Sequence, residues 1–311
     1  MQALPGIERT AVVDSAPRAV YPLPTVPTLE RDPDEPRSVT WRLLDTPPGP
    51  GAWNMALDEA LAGSVRGGAA PVLRVYRWAP ACLSLGRNQP ARGRYDEAAL
   101  RTRGIDVVRR PTGGRAVLHD RELTYSVAVP DGVLGSPRET YAAINRALVA
   151  GLRLLGVPAR LQAGTGRRAP APSLSPCFQE PVEGEVVAGG RKLVGSAQRR
   201  EGGILLQHGS LLLETDQSEV AGLLLRSAAG AEERSASADG HPEDDVDGRP
   251  ATLAALLGAV PPWKALVAAL AAGWEAETGL RLERGEPSAG ELRAARAGAE
   301  RYANPAWTWH L

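Results

Sequence analysis

The chain has 311 residues, enough for one large domain or two small domains with a substantial core. Lysine plus arginine and aspartate plus glutamate number 36 each, so no overall charge favours nucleic acid or an acidic membrane as a partner. The sequence shows neither a long apolar span nor a signal peptide, and we therefore expect a soluble cytoplasmic protein that does not bind a membrane.

Residues 1–37 are rich in proline and show no sustained periodicity, which predicts a disordered tail. Strands are predicted where β-branched residues cluster or alternate with polar ones: 39–45, 72–78, 81–86, 104–108, 123–129, 185–188, 192–198 and 203–213. Helices are predicted where apolar residues recur at helical spacing: 52–65, 95–103 and 138–155.

The second half of the chain contains two segments without such patterns. Residues 163–176 are rich in glycine, proline, serine and alanine and are predicted to form a loop. Residues 227–250 are polar and acidic and are predicted to form a mobile insertion. Residues 251–311 are predicted to be helices packed on the domain formed by residues 38–226. Strands joined by short turns, with helices between them, predict an α+β fold with mixed, mostly antiparallel sheets flanked by helices.

Metal chemistry is not expected. Cys82 and Cys177 are the two cysteines, too few for a disulfide framework or a zinc site made of cysteines alone. The histidines are too widely spaced for a local metal motif: His119, His208, His241 and His310.

The segment 109–120 carries the most information about a binding site. Gly113 and Gly114 lie between two predicted strands, where the absence of Cβ permits positive φ and close approach to a ligand. An ordinary hairpin turn flanked by solvated arginines is the alternative interpretation. The spacing differs from that of a phosphate-binding P-loop. By itself the segment predicts a ligand-binding loop.

Several segments between residues 41 and 213 occur in a specific order: 41–45 (WRLLD), 54–60 (NMALDEA), 80–89 (PACLSLGRNQ), 108–119 (VRRPTGGRAVLH), 122–126 (ELTYS), 192–198 (KLVGSAQ) and 206–210 (LQHGS). Their order and spacing resemble the family of lipoate-protein ligases and octanoyltransferases, which shares its fold with the catalytic domain of biotin protein ligase. The resemblance implies that residues 38–226 form the catalytic domain. It also implies these substrate-binding residues: Arg110, Gly113, Gly114, His119, Gly195, Ser196 and Ala197.

The loop Ser175-Pro176-Cys177-Phe178 distinguishes the branches of this family. ATP-using lipoate ligases commonly carry an Asn-Asp pair there, whereas a cysteine resembles the cysteine-dependent octanoyltransferases. This resemblance implies transfer of an octanoyl group from acyl carrier protein to a lysine of a lipoyl domain, in glycine cleavage H protein or a dehydrogenase E2 subunit. Cys177 and Lys192 are the implied catalytic residues, and no cofactor is needed because a thioester donor is already activated.

Several alternatives remain open. The chain could be an ATP-dependent lipoate-protein ligase, a transferase between lipoyl-bearing proteins, or a non-catalytic lipoate-sensing protein. Lys192 could stabilise a thiolate, bind the carbonyl oxygen or shuttle a proton. Three arginines could form a docking patch for the acidic carrier protein or be solvated: Arg109, Arg110 and Arg115. Cys82, inside an apolar strand, is expected in the core.

Overall fold

The computed structural model describes residues 40–164, 178, 181–214, 217–225 and 249–311. The strands of this part of the chain are β1 (Trp41–Asp45), β2 (Val72–Tyr76), β3 (Cys82–Leu85), β4 (Asp106–Arg109), β5 (Val117–His119), β6 (Glu122–Pro130), β7 (Ala159–Leu161), β8 (Val186–Ala188), β9 (Arg191–Glu201), β10 (Ile204–Leu212) and β11 (Leu282–Gly285). The helices are α1 (Gly51–Arg66), α2 (Glu97–Thr102), α3 (Pro137–Leu154), a 3₁₀ helix (Gln217–Leu223), α4 (Leu253–Leu257), α5 (Trp263–Thr278), α6 (Ala289–Ala303) and α7 (Pro305–Thr308).

The strands form a large and a small sheet. The large sheet has the order β11-β1-β2-β6-β10-β9-β8-β7, in which β11, β1 and β2 are parallel and the remaining neighbours are antiparallel. The small sheet has the order β4-β3-β5, with β4 parallel and β5 antiparallel to β3. The predicted α+β class with mixed, mostly antiparallel sheets is confirmed.

Helices cover both faces of the large sheet. The main apolar core joins α3 and α5 to one face, through residues such as Leu148 and Trp274. Helix α1 packs on the other face, where Leu57 and Leu61 meet Val72 of β2. Ser136 is the N-cap of helix α3, and its side chain accepts from the backbone N–H of Glu139 in a capping box. These helices leave space on the α1 side for the small sheet.

Three strands were missed by the sequence patterns. β5 and β7 have three residues each, and β11 (LERG) is short, charged and mostly exposed, as is usual for an edge strand. Because β11 pairs with β1, the segment 251–311 contributes a strand as well as helices, which corrects its description as helical.

Some predictions fall outside the described residues. These are the tail 1–37, most of the insertion 227–250 and most of the loop 163–176, together with Cys177. Among the helices that the structure describes, none is both long and apolar enough to cross a membrane.

The glycine pair does not form a hairpin. β4 and β5 pair with opposite edges of β3, so the segment between them crosses the end of that strand. Gly114 has φ +91°, a conformation that favours glycine. The carbonyl oxygen of Thr112 accepts from the backbone N–H of Arg87, which follows β3. The alternative of an ordinary hairpin turn is therefore wrong.

Candidate active site

A pocket lies between the two sheets, with α1 closing one side. It holds about 420 Å³ of empty space, including its opening to solvent. Its walls come from α1, β2, β3, β5, β6, β9, β10 and the glycine segment: Met55, Tyr76, Trp78, Ser84, Arg110, Gly114, Val117, His119, Thr124, Gly195, Ser196, Ala197, His208, Gly209 and Ser210.

Most of the substrate-binding residues implied by the family resemblance line this one pocket: Arg110, Gly114, His119, Gly195, Ser196 and Ala197. Gly113 lies beside them, because its carbonyl oxygen accepts from the guanidinium of Arg110. Lys192 is buried next to the pocket and does not line it. The structure therefore brings together side chains that are up to 87 positions apart (110 to 197).

Arg110 stabilises the glycine segment. Its guanidinium donates to the carbonyl oxygens of Gly113 and Arg115 at 2.7 Å each, and to that of Ser84 at 3.0 Å. Arg109 is also buried and donates to the carbonyl oxygen of Gly86 at 2.6 Å. Both guanidiniums donate to backbone carbonyls of the neighbouring segments. A docking patch built on Arg109 and Arg110 is therefore wrong, and Arg115 is half-buried.

His119 is held rigidly in the pocket wall. Its Nδ1 lies 2.7 Å from Glu122 Oε1, and its Nε2 lies 2.7 Å from the hydroxyl of Ser84. Because a carboxylate only accepts, Nδ1 carries the proton in the bond to Glu122. The indole of Trp78 stacks on the imidazole with ring centroids 4.1 Å apart. The sequence did not point to Trp78 or Ser84, because both residues matter through their contacts with His119 in the folded chain.

A buried polar network connects the glycine segment to α1. Asp58 accepts from Arg74 at 2.7 Å and from the hydroxyl of Tyr76 at 2.8 Å. Burial alone would raise the pKa of Asp58, but Arg74 and His208 lower it, and the net shift is downward. Burial lowers the pKa of His208, whose Nε2 lies 2.5 Å from the hydroxyl of Thr112. His208 therefore connects the glycine segment to Asp58. An aspartate on a largely apolar helix was the sequence signal that could have revealed this network.

Lys192 forms a buried ion pair. Its Nζ lies 2.8 Å from Glu185 Oε1, and the other carboxylate oxygen accepts from the backbone N–H of Val182 at 2.9 Å. The same ammonium lies 5.2 Å from the ring centroid of Phe178. The ion pair thus joins β9 to the residue that precedes β8, beside a buried aromatic ring.

Phe178 packs at one end of the pocket. It is buried against Val117 and Leu212, and its ring would lie 2.8 Å from a Cβ added to Gly195. The absence of a side chain at Gly195 therefore creates the space that the ring occupies. Phe178 directly follows Cys177 in the sequence, so the described neighbour of the candidate nucleophile contacts pocket residues.

The sheet order and the position of the pocket define an α+β ligase-like domain, and solved structures share this fold. Lipoate-protein ligase A bound with ATP superimposes with a TM-score of 0.68 at 24% identity, covering 87% of this chain and 98% of that one. The bi-partite lipoate protein ligase from Thermoplasma acidophilum, in a structural analysis that includes its E2 lipoyl domain, has the same TM-score and identity and covers 87% and 96%.

Sequence similarity is more specific. A family model described as the lipoyl protein ligase A/B catalytic domain matches residues 50–271. Octanoyltransferase LipM of Kyrpidia tusciae is 42% identical over 278 residues, covering 87% of this chain and 98% of that protein. Octanoyltransferase LipM of Symbiobacterium thermophilum is also 42% identical, covering 79% and 89%. The chain belongs to the lipoyl protein ligase A/B catalytic domain family, and the resemblance seen in the sequence is confirmed.

Replacing Gly114 by valine should block ligand entry while leaving the fold largely intact. An added Cβ would lie 2.8 Å from the guanidinium of Arg110, and positive φ would strain the backbone by about 1–3 kcal/mol. Acyl-enzyme formation and thermal unfolding should be measured together. Gly132→Val is a matched control, because Gly132 has φ +87° with open space around its Cβ position. A folded Gly114→Val protein that acylates at the wild-type rate would show that the glycine serves only the turn.

Proposed function

We propose that this protein transfers an octanoyl group from acyl carrier protein to a lysine of a lipoyl domain through a thioester on Cys177. The protein is an octanoyltransferase of the lipoylation system, in accord with relatives that are 42% identical over most of its length. The proposal adds the donor, the covalent intermediate and the residues that support it.

The position of Phe178 is the observation that carries the proposal. Its ring contacts Gly195 and Val117 at one end of the pocket, with Lys192 5.2 Å away. Phe178 directly follows Cys177 in the sequence, and its contacts with pocket residues support Cys177 as the nucleophile. The cysteine thiolate would attack the thioester carbon of the donor, and the thiolate of the carrier protein would leave. The amine of the acceptor lysine would then attack the enzyme thioester, and the thiolate of Cys177 would leave after loss of a proton from nitrogen.

Lys192 supplies positive charge in this mechanism. Its pairing with Glu185 at 2.8 Å favours an ammonium group, and this ammonium lies beside the aromatic ring that follows the nucleophile. A nearby cation stabilises a thiolate and the oxyanion that forms when the thioester is attacked. Among the roles left open by the sequence, these contacts favour charge stabilisation over removal of a proton by a neutral amine.

The pocket suits an eight-carbon acyl chain. Aromatic and aliphatic groups of Met55, Tyr76, Trp78 and Val117 line it together with short polar side chains. Burying about seven methylene and methyl groups at roughly 0.8 kcal/mol each contributes on the order of 5–6 kcal/mol. That contribution is enough to select a medium-length chain over a short one.

Intact-mass analysis of the full-length protein tests this function. After incubation with octanoyl-acyl carrier protein, without ATP or magnesium, the enzyme should gain one octanoyl group that hydroxylamine removes. Adding a lipoyl domain should discharge the enzyme and modify the domain by the same mass. A strict requirement for ATP and free acid would instead favour a lipoate-protein ligase. Faster acylation by an octanoylated lipoyl protein would favour transfer between lipoyl-bearing proteins, and no acylation by any donor would favour a sensing protein.

A further inference from the structure

We infer that the segment 289–311, which contains α6 and α7, positions the glycine segment (residues 110–116) of the pocket through Arg109. The match to the family ends at residue 271, so the segment 289–311 lies outside the matched region. Arg109 and Trp307 are positioning residues in this inference, because neither lines the pocket. The inference deepens the proposed function and rests on it wherever catalytic activity is the measurement.

The C-terminal part of the chain crosses the molecule from the large sheet to the small sheet. Strand β11 pairs with β1 at the edge of the large sheet, and α6 then packs on α1. Tyr302, near the end of α6, packs with Met55 of the pocket wall and with Cys82 of β3. Helix α7 follows and contacts β4. The segment therefore ends beside the strand that leads into the glycine segment.

Two hydrogen bonds connect α7 to Arg109, the last residue of β4. The indole N–H of Trp307 donates to the backbone carbonyl oxygen of Arg109 at 2.9 Å. In the opposite direction, Nε of Arg109 donates to the backbone carbonyl oxygen of Thr308, also at 2.9 Å. Arg109 is fully buried. Helix α7 thus fixes both the backbone and the side chain of the residue that precedes the glycine segment.

The guanidinium of Arg109 also holds the loop that follows β3. It donates to the carbonyl oxygen of Gly86 at 2.6 Å. This loop contacts the glycine segment directly, because the backbone N–H of Arg87 donates to the carbonyl oxygen of Thr112 at 2.8 Å. A Cβ added to Gly86 would lie 1.9 Å from the carbonyl oxygen of Gly114, so the two backbones are in contact. A shift of the loop would therefore displace the pocket wall at Gly114.

The contacts of Arg109 indicate a geometric role. Its guanidinium donates to backbone carbonyls of α7 and of the loop after β3, at Thr308, Gly86 and Gln89. Within the described parts of the chain, no carboxylate forms an ion pair with it. A planar guanidinium offers several N–H donors in fixed directions, which the compact ammonium of lysine does not. Arg109 therefore sets the distance between α7 and the loop that supports the pocket.

Hydrogen exchange in the substrate-free, full-length protein tests the positioning directly. In Trp307→Ala, peptides covering residues 85–90 and 110–116 should exchange on the order of tenfold faster, while β6 and β10 keep their wild-type rates. Trp307→Phe keeps an aromatic ring and loses the N–H, so it should show a smaller increase in the same peptides. It carries the test if the alanine variant does not fold.

Trp263→Ala is the matched control for the loss of an indole. Trp263 is half-buried like Trp307, and its N–H also donates to one residue, Asp45, at 2.9 Å. Because that hydrogen bond lies at the end of β1, its loss should leave the exchange of residues 110–116 unchanged.

Steady-state kinetics give the functional measurement. A displaced pocket wall weakens binding of the acyl group, so KM for octanoyl-acyl carrier protein should rise roughly three- to tenfold in Trp307→Ala, with kcat changed by less than about twofold. Arg109→Lys should raise KM in the same way, because an ammonium cannot make all the contacts of the guanidinium. Partial unfolding would instead lower kcat in proportion to the folded fraction and leave KM unchanged.

Two results would overturn the inference while leaving the proposed function intact. One is wild-type exchange of residues 110–116 in folded Trp307→Ala and Trp307→Phe proteins. The other is an unchanged KM with a lower kcat, which would give the segment a purely structural role. Faster exchange of residues 110–116 in a protein that no donor acylates would support the positioning and contradict the proposed function.

Discussion

Replacing Cys177 by serine should abolish the acyl-enzyme and slow octanoyl transfer on the order of 10³-fold or more. A serine hydroxyl is far less ionised than a thiol near neutral pH, and an alkoxide is a poorer leaving group than a thiolate when the acceptor amine attacks. Intact mass after incubation with octanoyl-acyl carrier protein measures the first effect. The rate of lipoyl-domain modification measures the second.

Cys82→Ser is the matched control for the nucleophile. Burial raises the pKa of the Cys82 thiol well above its usual range, with a further increase from Asp106. The thiol packs with Met55 and Tyr302 in a small apolar cluster. This variant should still gain one octanoyl group. Full transfer activity in Cys177→Ser, or an octanoyl group recovered on Cys82, would exclude the proposed intermediate.

Replacing Asp58 by alanine should lower the free energy of unfolding by about 3–5 kcal/mol, because it leaves a buried charge without its partner. Arg74 is fully buried and donates to Asp58 at 2.7 Å. Tyr76 and Ser126 would also lose their acceptor. Urea-induced unfolding at neutral pH measures the loss.

The matched control for Asp58→Ala is an exposed ion pair whose charged atoms are the same distance apart. Glu183 and Arg138 are also 2.7 Å apart, but both side chains are exposed, so Glu183→Ala should cost less than about 1 kcal/mol. A similarly small cost for Asp58→Ala would show that the buried network does not stabilise the fold.

The cost of losing Asp58 should depend on pH. The pKa of Asp58 is lowered in the folded state from its usual value of 3.8, so the carboxylate stabilises the protein fully above that value. The contribution is lost as the pH falls through the lowered pKa. The difference in stability between wild type and Asp58→Ala should therefore shrink in acid. A difference that grows below pH 4 would contradict this sign.

The local sequence pattern was sufficient to predict most of the strands and helices around the pocket. Alternating apolar residues predicted β2, β6 and β10, and helical spacing predicted α1 and α3. The short edge strand β11 was not predicted, because its residues (LERG) include few apolar side chains and its partner β1 lies some 240 positions earlier in the chain. Strand pairing of that kind depends on the packing of the whole sheet and not on nearby residues.

By itself the sequence determined the family, the α+β class and six of the residues that line the pocket, because these depend on local patterns and on the order of short segments. Only the tertiary structure decided what the charged and aromatic side chains do. Arg109 and Arg110 were candidates for a docking surface, and the fold buries both against backbone carbonyls. The stacking of Trp78 on His119 connects the segment after β2 to β5, and the ion pair of Lys192 with Glu185 connects β9 to the residue before β8. The partners of such side chains are chosen by burial, where an unpaired polar group is costly, and burial is a property of the folded chain.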